Sequence, residues 1–236
     1  MTTKKKTHIA LVLDSSGSMS SMKEQAIALF NEQRDVIHKD RRKGGTTRLS
    51  LVVFGESGAV LASGVLGNAM NLGATVRVVH DNVPTKDVPR LTEATYKPQS
   101  MTPMRDGIGR AIGLLEAHDD GAEQTAFLVV VVTDGQENAS QEWTAAALSA
   151  KVAALQGGGR WTFALYGCAD LDLAELKETA GLGAVPLANM GTYDRSAAGL
   201  CVGSMVLASN TSSYMDSRAV GLTASINFAV EDQSGS

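Results

Sequence analysis

"HIALVLDSSGSMS", residues 8 to 20, joins an unbroken apolar run to a hydroxyl-rich turn. Ile9 to Leu13 shows no polar alternation, the pattern of a strand covered on both faces. Asp14 stops the run, and Asp14, Ser16 and Ser18 then make a D-x-S-x-S spacing. A hard divalent cation such as Mg²⁺ takes oxygen ligands in octahedral geometry and keeps several waters. Serine hydroxyls at alternate positions of a tight loop can both point at one ion, and Gly17 lets the backbone bend between them. The same residues equally suit a plain helix cap. Other parts of the chain must decide between the two readings.

"RLSLVVF" (48–54), "AFLVVVVTD" (126–134), "RWTFALYG" (160–167) and "AVPLAN" (184–189) read as further strands. After the first strand, Met22, Ala26, Leu29, Phe30, Gln33, Val36 and Ile37 follow helical spacing, with Ser21 and Glu24 as a capping box. "TPMRDGIGRAIGLLEAH" predicts a second helix with Thr102 as N-cap, Pro103 at its first position, and Met104, Ile108, Ala111, Ile112 and Leu115 facing inward. A third is expected from about Ser140 to Gln156 and a fourth over "LDLAELKETAG" (171–181). Strands alternating with helices predict an α/β fold, a doubly wound parallel sheet with helices on both faces. In such sheets ligands bind at the carboxyl ends of the strands. "DSSGS" follows one strand there, "TDGQEN" (133–138) follows another, and Thr102 opens a helix. That coincidence favours a metal site. Neutral hydroxyls leave an ion most of its charge, and Asp14 and Asp134 can hold its waters from further out.

Other chemistries find less support. The chain has 236 residues, 44% hydrophobic and 19% charged, with a net charge of −4. This is globular material without an electrostatic footprint for nucleic acid. The basic clusters at Lys4 to Lys6 and Arg41 to Lys43 are short and read as solvated ends. The apolar stretch after the first cluster is too short for a signal peptide, and "AFLVVVV" (126–132) is too short to span a bilayer. A soluble, cytoplasmic protein is expected. Cys168 and Cys201 lack metal-ligand spacing and suggest no disulfide framework, so the "NAS" and "NTS" sequons at Asn138 and Asn210 carry no meaning. No G-x-x-x-x-G-K-[ST] occurs, and "GIGRAIG" (107–113) lies inside a helix, where its glycines permit close packing. "GLCVG" (199–203) mimics a nucleophile elbow, but a helix start precedes it. An aspartyl-nucleophile phosphatase needs an aspartate where Ser16 stands. His8, His38, His80 and His118 are scattered away from the proposed edge, which leaves no ordinary general base there.

"LVLDSSGSMS", "MTPMRDGIGRAI" and "VVVVTDGQENAS" together resemble the three segments of a von Willebrand factor A domain with its metal-ion-dependent adhesion site. The likeness covers about residues 7 to 209. "TDGQENAS", with "VPRLTEATYKPQSMTP" before the threonine, looks most like stand-alone bacterial and phage members. The resemblance implies a mostly parallel sheet with one antiparallel edge strand, here "TVRVVHDNVP" (75–84). It implies that Ser16 and Ser18 ligate Mg²⁺ or Mn²⁺ directly, Thr102 directly or through water, and Asp14 and Asp134 through waters. The remaining position belongs to an Asp or Glu of a protein partner. Ser100 and Met101 stand where many members have two glycines, which bears on the flexibility of that loop. The expected function is a non-enzymatic, metal-dependent protein-interaction module, with no nucleic acid or membrane as partner. An adaptor beside a MoxR-like AAA+ ATPase and a metal-dependent phosphoesterase are the alternatives.

The expected organisation is a basic tail (1–6), the domain (7–209) and an extension (210–236), within which "LTASINFAV" alternates like a strand. An insertion at about 56–74 is far longer than family members of this kind carry. It leaves from the carboxyl end of a strand parallel to the one bearing "DSSGS", so it is expected on the metal face. Val60, Leu61, Val65, Leu66 and Met70 make it apolar enough to suggest partner contacts.

Overall fold

The computed structural model describes residues 5–40, 45–57, 74–222 and 228. Its strands are β1 (Lys5–Asp14), β2 (Gly45–Ser57), β3 (Ala74–Pro84), β4 (Thr125–Val132), β5 (Trp161–Cys168) and β6 (Met190–Tyr193). They form one sheet in the order β3-β2-β1-β4-β5-β6. All neighbours pair in parallel except β2 and β3, which are antiparallel. The helices are α1 (Lys23–Asp40), α2 (Met104–Glu116), α3 (Ala145–Gly157), α4 (Leu173–Thr179) and α5 (Ala197–Val220), with a short 3₁₀ turn at Gly17–Met22.

Two apolar layers explain the uninterrupted strands. Ile9, Leu11 and Leu13 of β1 face α1 and α5, where they meet Phe30, Ile37, Leu200 and Leu207. Ala10 and Val12 face the other way, toward Ile108 and Ile112 of α2 and Leu148 of α3. All eight residues of β4 and all eight of β5 are buried. A strand that buries both faces loses nothing by being apolar on both, so alternation disappears.

Several local expectations shift. Thr102 is not the N-cap of α2: Pro103 holds that position and the helix starts at Met104. Ser21 caps nothing at α1, because the 3₁₀ turn from Gly17 feeds directly into the helix. The run 184–189 ends in a 3₁₀ turn, and the last strand is Met190–Tyr193 instead. Pro186 accounts for this, since it brings no N–H to a ladder. α3 begins at Ala145 rather than Ser140, capped by Thr144 Oγ1. The residues in between belong to the loop described below.

The glycines of "GIGRAIG" do permit close approach. A Cβ on Gly107 would lie 2.9 Å from the Phe54 ring and one on Gly109 2.1 Å from the Trp143 indole. Cys201 lies on α5, as the helix start before "GLCVG" predicts, and is exposed, whereas Cys168 is buried. Among the described residues no helix is long and apolar enough to cross a membrane.

α5 continues past Asn210 to Val220. Arg218, near its end, is buried and donates to the carbonyls of Lys6 and Gln124 and to Thr7 Oγ1, tying the helix to the bottom of β1 and β4. Of the strand-like segment beyond it, Phe228 is described and residues 223–227 are not. Phe228 is buried, meets Tyr214 edge-on at 6.0 Å, and donates its N–H to Asn189 Oδ1 at 2.6 Å. Replacing a fully buried phenyl by methyl removes apolar contact and leaves a cavity. Phe228→Ala is expected to lower the unfolding free energy by about 3 kcal/mol, measured by urea denaturation with an unchanged m-value.

Candidate metal centre

The strand order reverses direction between β1 and β4, so the connections leaving these two strands pass to opposite sides of the sheet. Such a switch point opens a crevice at the carboxyl ends. Leu13 pairs with Val132, which brings Asp14 beside Thr133 and Asp134.

Asp14 is fully buried. Its Oδ1 accepts the Ser16 N–H at 2.7 Å and its Oδ2 the Thr133 hydroxyl at 2.5 Å. Ser18 Oγ donates to Asp134 Oδ1 at 2.7 Å. Ser16 Oγ and Ser18 Oγ lie 3.0 Å apart. A Cβ on Gly135 would touch Thr102 Oγ1 at 3.7 Å and Ser18 Oγ at 3.9 Å, so these two hydroxyls flank the same glycine. Asp14, Ser16, Ser18, Thr102 and Asp134 are thus brought to one edge. Asp14, Ser16, Thr102 and Asp134 are buried, while Ser18 and Gly17 face solvent.

The electrostatics are those of a site short of positive charge. Burial pushes the Asp14 carboxyl up to about 6, against the hydrogen bonds from Thr133 and Ser16. Burial also raises Asp134, opposed by the Ser18 hydroxyl and the Arg195 charge. Two desolvated carboxylates side by side favour either protonation or an added cation. The spacing of the serines suits the latter. With Mg²⁺–oxygen distances near 2.0–2.1 Å, adjacent octahedral ligands are separated by about 3.0 Å, the separation Ser16 Oγ and Ser18 Oγ already have. The donor set therefore fits a hard divalent ion. Among the described residues no group of three or more His, Cys, Asp or Glu offers a rival centre.

Four loops are locked around this point. Ser15 N–H donates to Phe54 O, Gly17 N–H to Ser100 O, Gln99 N–H to Ser15 O, and Ser100 N–H to Gly55 O. Ser16 and Ser100 form an isolated parallel bridge, so Ser100 is held where a glycine would leave the loop freer. Tyr96 donates to Asp14 O at 2.5 Å and Tyr193 to Thr133 O at 2.8 Å, so one phenol steadies the backbone on each side. In "TDGQENAS", Asn138 Oδ1 accepts the Thr102 N–H at 2.7 Å and its own N–H returns to Thr102 O. Glu137 accepts the N–H groups of Arg105, Ala139 and Ser140. Asp106 accepts those of Gln141, Glu142 and Trp143. Buried carboxylates that accept several amides hold a loop without regular structure.

Sequence reading missed Thr133, Tyr96, Tyr193 and Arg195. Thr133 follows a predicted strand end and was accessible to the rule that located Asp134; Arg195 follows a strand that the sequence placed at 184–189 rather than at Met190–Tyr193, and the tyrosines gave no local signal. The histidines stay clear of this edge: His8 and His118 stack at 6.2 Å near the opposite end of β1, and His80 lies in β3. Val60, Leu61, Val65, Leu66 and Met70 lie outside the described residues. The pairing of Ser57 with Ala74 closes the ladder from which their segment departs.

No protein-family model matches the chain, and no curated protein aligns with it. Solved structures resemble it. The von Willebrand factor type A protein from Catenulispora acidiphila superposes with a TM-score of 0.57 and 17% identity, over 89% of this chain and 43% of that one. The vWF domain of the type V pili tip protein Mfa5 from Porphyromonas gingivalis gives 0.56 and 11%, over 93% and 97%. The chain has the von Willebrand factor A fold. The pilus adhesin SpaC from Lactobacillus rhamnosus GG gives 0.62 and 13%, over 91% of this chain and 31% of the adhesin. The likeness at these identities is one of fold. The chain spans less than half of the Catenulispora protein and of the adhesin.

Gly55 is the pivot on which two of the site loops close within this fold. Its φ is +91°, and a Cβ there would lie 2.6 Å from Ser16 N and 2.9 Å from Met101 O. Both are backbone atoms and cannot rotate away. Gly55→Ala is expected to cost about 3 kcal/mol, combining left-handed strain with overpacking, read as a lowered denaturant midpoint.

Proposed function

We propose that this chain is a non-enzymatic interaction module that binds Mg²⁺ or Mn²⁺ through Ser16, Ser18 and Thr102, with Asp14 and Asp134 as outer carboxylates. The observation that carries the reading is the pair of serine hydroxyls 3.0 Å apart above two buried carboxylates. A divalent ion held there supplies a charge only partly neutralised by its ligands, with a position free for an outside carboxylate. The partner is accordingly a protein offering an Asp or Glu. Ser18 and Gly17 leave the approach open. Met101, next to Thr102, is 54% exposed and offers an apolar contact beside that approach. Thr133 and Ser16 N–H keep Asp14 oriented, and Tyr96 and Tyr193 fix the carbonyls behind it.

The insertion at 56–74 belongs to the same proposal. β2 runs parallel to β1 and extends past Phe54, the partner of Asp14, to Ser57. Ser57, the last described residue of β2, thus lies beyond the register of Asp14, and in this proposal Val60, Leu61, Val65, Leu66 and Met70 supply apolar partner contacts. Carboxylate recognition through the ion gives orientation, and apolar surface beside it gives area, the division found in mixed interfaces.

Titration calorimetry tests the metal. The intact chain is expected to bind Mg²⁺ or Mn²⁺, and Asp14→Ala and Ser16→Ala to weaken binding by about tenfold or more while far-UV dichroism is retained. Replacing residues 58–73 by a short Gly-Asn turn is expected to leave metal affinity unchanged. Equal affinity in Asp14→Ala, Ser16→Ala and the unsubstituted chain would remove the site.

A further inference from the structure

Arg195 lies between β6 and α5, one residue before the cap Ser196. Its Nη1 is 3.4 Å from Asp134 Oδ2. Its Nε and Nη2 donate to the two oxygens of Asp170 at 2.8 and 3.2 Å. The Asp134 side chain is 1% exposed, that of Arg195 37% and that of Asp170 56%. A permanent positive charge thus stands at the rim, gripped by an exposed carboxylate and turned loosely toward a buried one. A guanidinium keeps its proton under all ordinary conditions, so the charge cannot be relieved by titration.

Asp134 uses its other oxygen to accept the Ser18 hydroxyl. One carboxylate therefore bridges the proposed ligand Ser18 and the guanidinium. Among the described residues Arg195 is the cation that reaches Asp134. A buried carboxylate favours a counter-charge, and in the absence of a metal that role falls to Arg195. The two-point contact with Asp170 and the longer one with Asp134 show where the guanidinium is held more firmly.

Resting on the metal reading above, we infer that Arg195 competes with the divalent cation for Asp134, and that Asp170 sets the strength of the competition by holding the guanidinium back. Formal charge supports this. Asp14 and Asp134 contribute two negative charges, and Arg195 and Asp170 cancel. The site then matches a doubly charged ion. Removing Arg195 leaves an excess of negative charge, and removing Asp170 leaves the guanidinium to pair with Asp134 alone. Arg195 is on this account a positioning and affinity-setting residue that makes no contact with the metal.

The test is Mg²⁺ calorimetry on the full chain at low and high ionic strength. Arg195→Gln is expected to tighten binding about fivefold at low salt, an effect that fades near 0.5 M as the charges are screened. Arg195→Lys keeps the charge and is expected not to tighten binding. Asp170→Asn is expected to weaken it by a similar factor, and by less in the Arg195→Gln background, because part of its effect passes through the guanidinium. Unchanged or weaker binding in Arg195→Gln, with an unchanged thermal midpoint without metal, overturns the competition while leaving the metal site in place. An unsubstituted chain that binds no Mg²⁺ overturns the metal reading and this inference with it.

Discussion

Two carboxylates, Asp14 and Asp134, are buried at the end of adjacent strands, with Asp14 reaching the Thr133 hydroxyl across the gap. Taking a carboxylate out of water is costly unless hydrogen bonds and opposite charge replace the solvent. The surroundings supply the first: Ser16 N–H and Thr133 to Asp14, Ser18 to Asp134. Among the described residues they supply little of the second, the 3.4 Å contact of Arg195 with Asp134. That imbalance is what makes the edge chemically receptive. A polar cluster retained at such a cost, in a sheet otherwise apolar on both faces, is where function is expected to reside.

The loops show how the imbalance is maintained. A site of hydroxyls and carboxylates collapses onto itself unless the backbone prevents it. Here Ser100 is pinned beside Ser16 by an isolated parallel bridge. Gly55 lies against the Ser16 backbone and accepts the Ser100 N–H, which brings β2 to both. On the other side, Asp106 and Glu137 spend their oxygens on amides of residues 139–143 and of Arg105 in α2, and Asn138 Oδ1 accepts the amide of Thr102. These side chains bind backbone amides and leave the proposed ligand hydroxyls free. Their role is to keep Thr102 and Asp134 where they are, and the exposed Ser18 is left as the point of entry.

Much of this was legible in the sequence because the same residues write both fold and site. The run Ile9 to Leu13 announces a strand buried on both faces, and Asp14 announces where it ends. Strand ends are also where α/β sheets bind ligands, so Ser16, Ser18, Thr102 and Asp134 could be assigned to one edge before any coordinates. Element boundaries were less legible. Thr102 carries the pattern of an N-cap, but its N–H is taken by Asn138 and the helix starts later. Ser140 reads as a helix start, but Glu137 takes its N–H, Asp106 of α2 takes those of Gln141, Glu142 and Trp143, and the helix begins only at Ala145. Tyr96 and Tyr193 act through backbone carbonyls far away in sequence, a contact for which no local pattern exists. Arg195 pairs with residues 25 and 61 positions earlier, and only the fold brings them together.

On this reading Ser16, Ser18 and Thr102 hold a divalent cation over Asp14 and Asp134. Anomalous scattering from crystals grown with Mn²⁺ addresses it directly. The account predicts one strong anomalous peak within ligand distance, about 2.2 Å, of the Ser16 and Ser18 hydroxyl oxygens, lost in crystals of Ser16→Ala. Well-ordered crystals of the unsubstituted chain at saturating Mn²⁺ with no peak at that edge, or with the peak elsewhere, would contradict it.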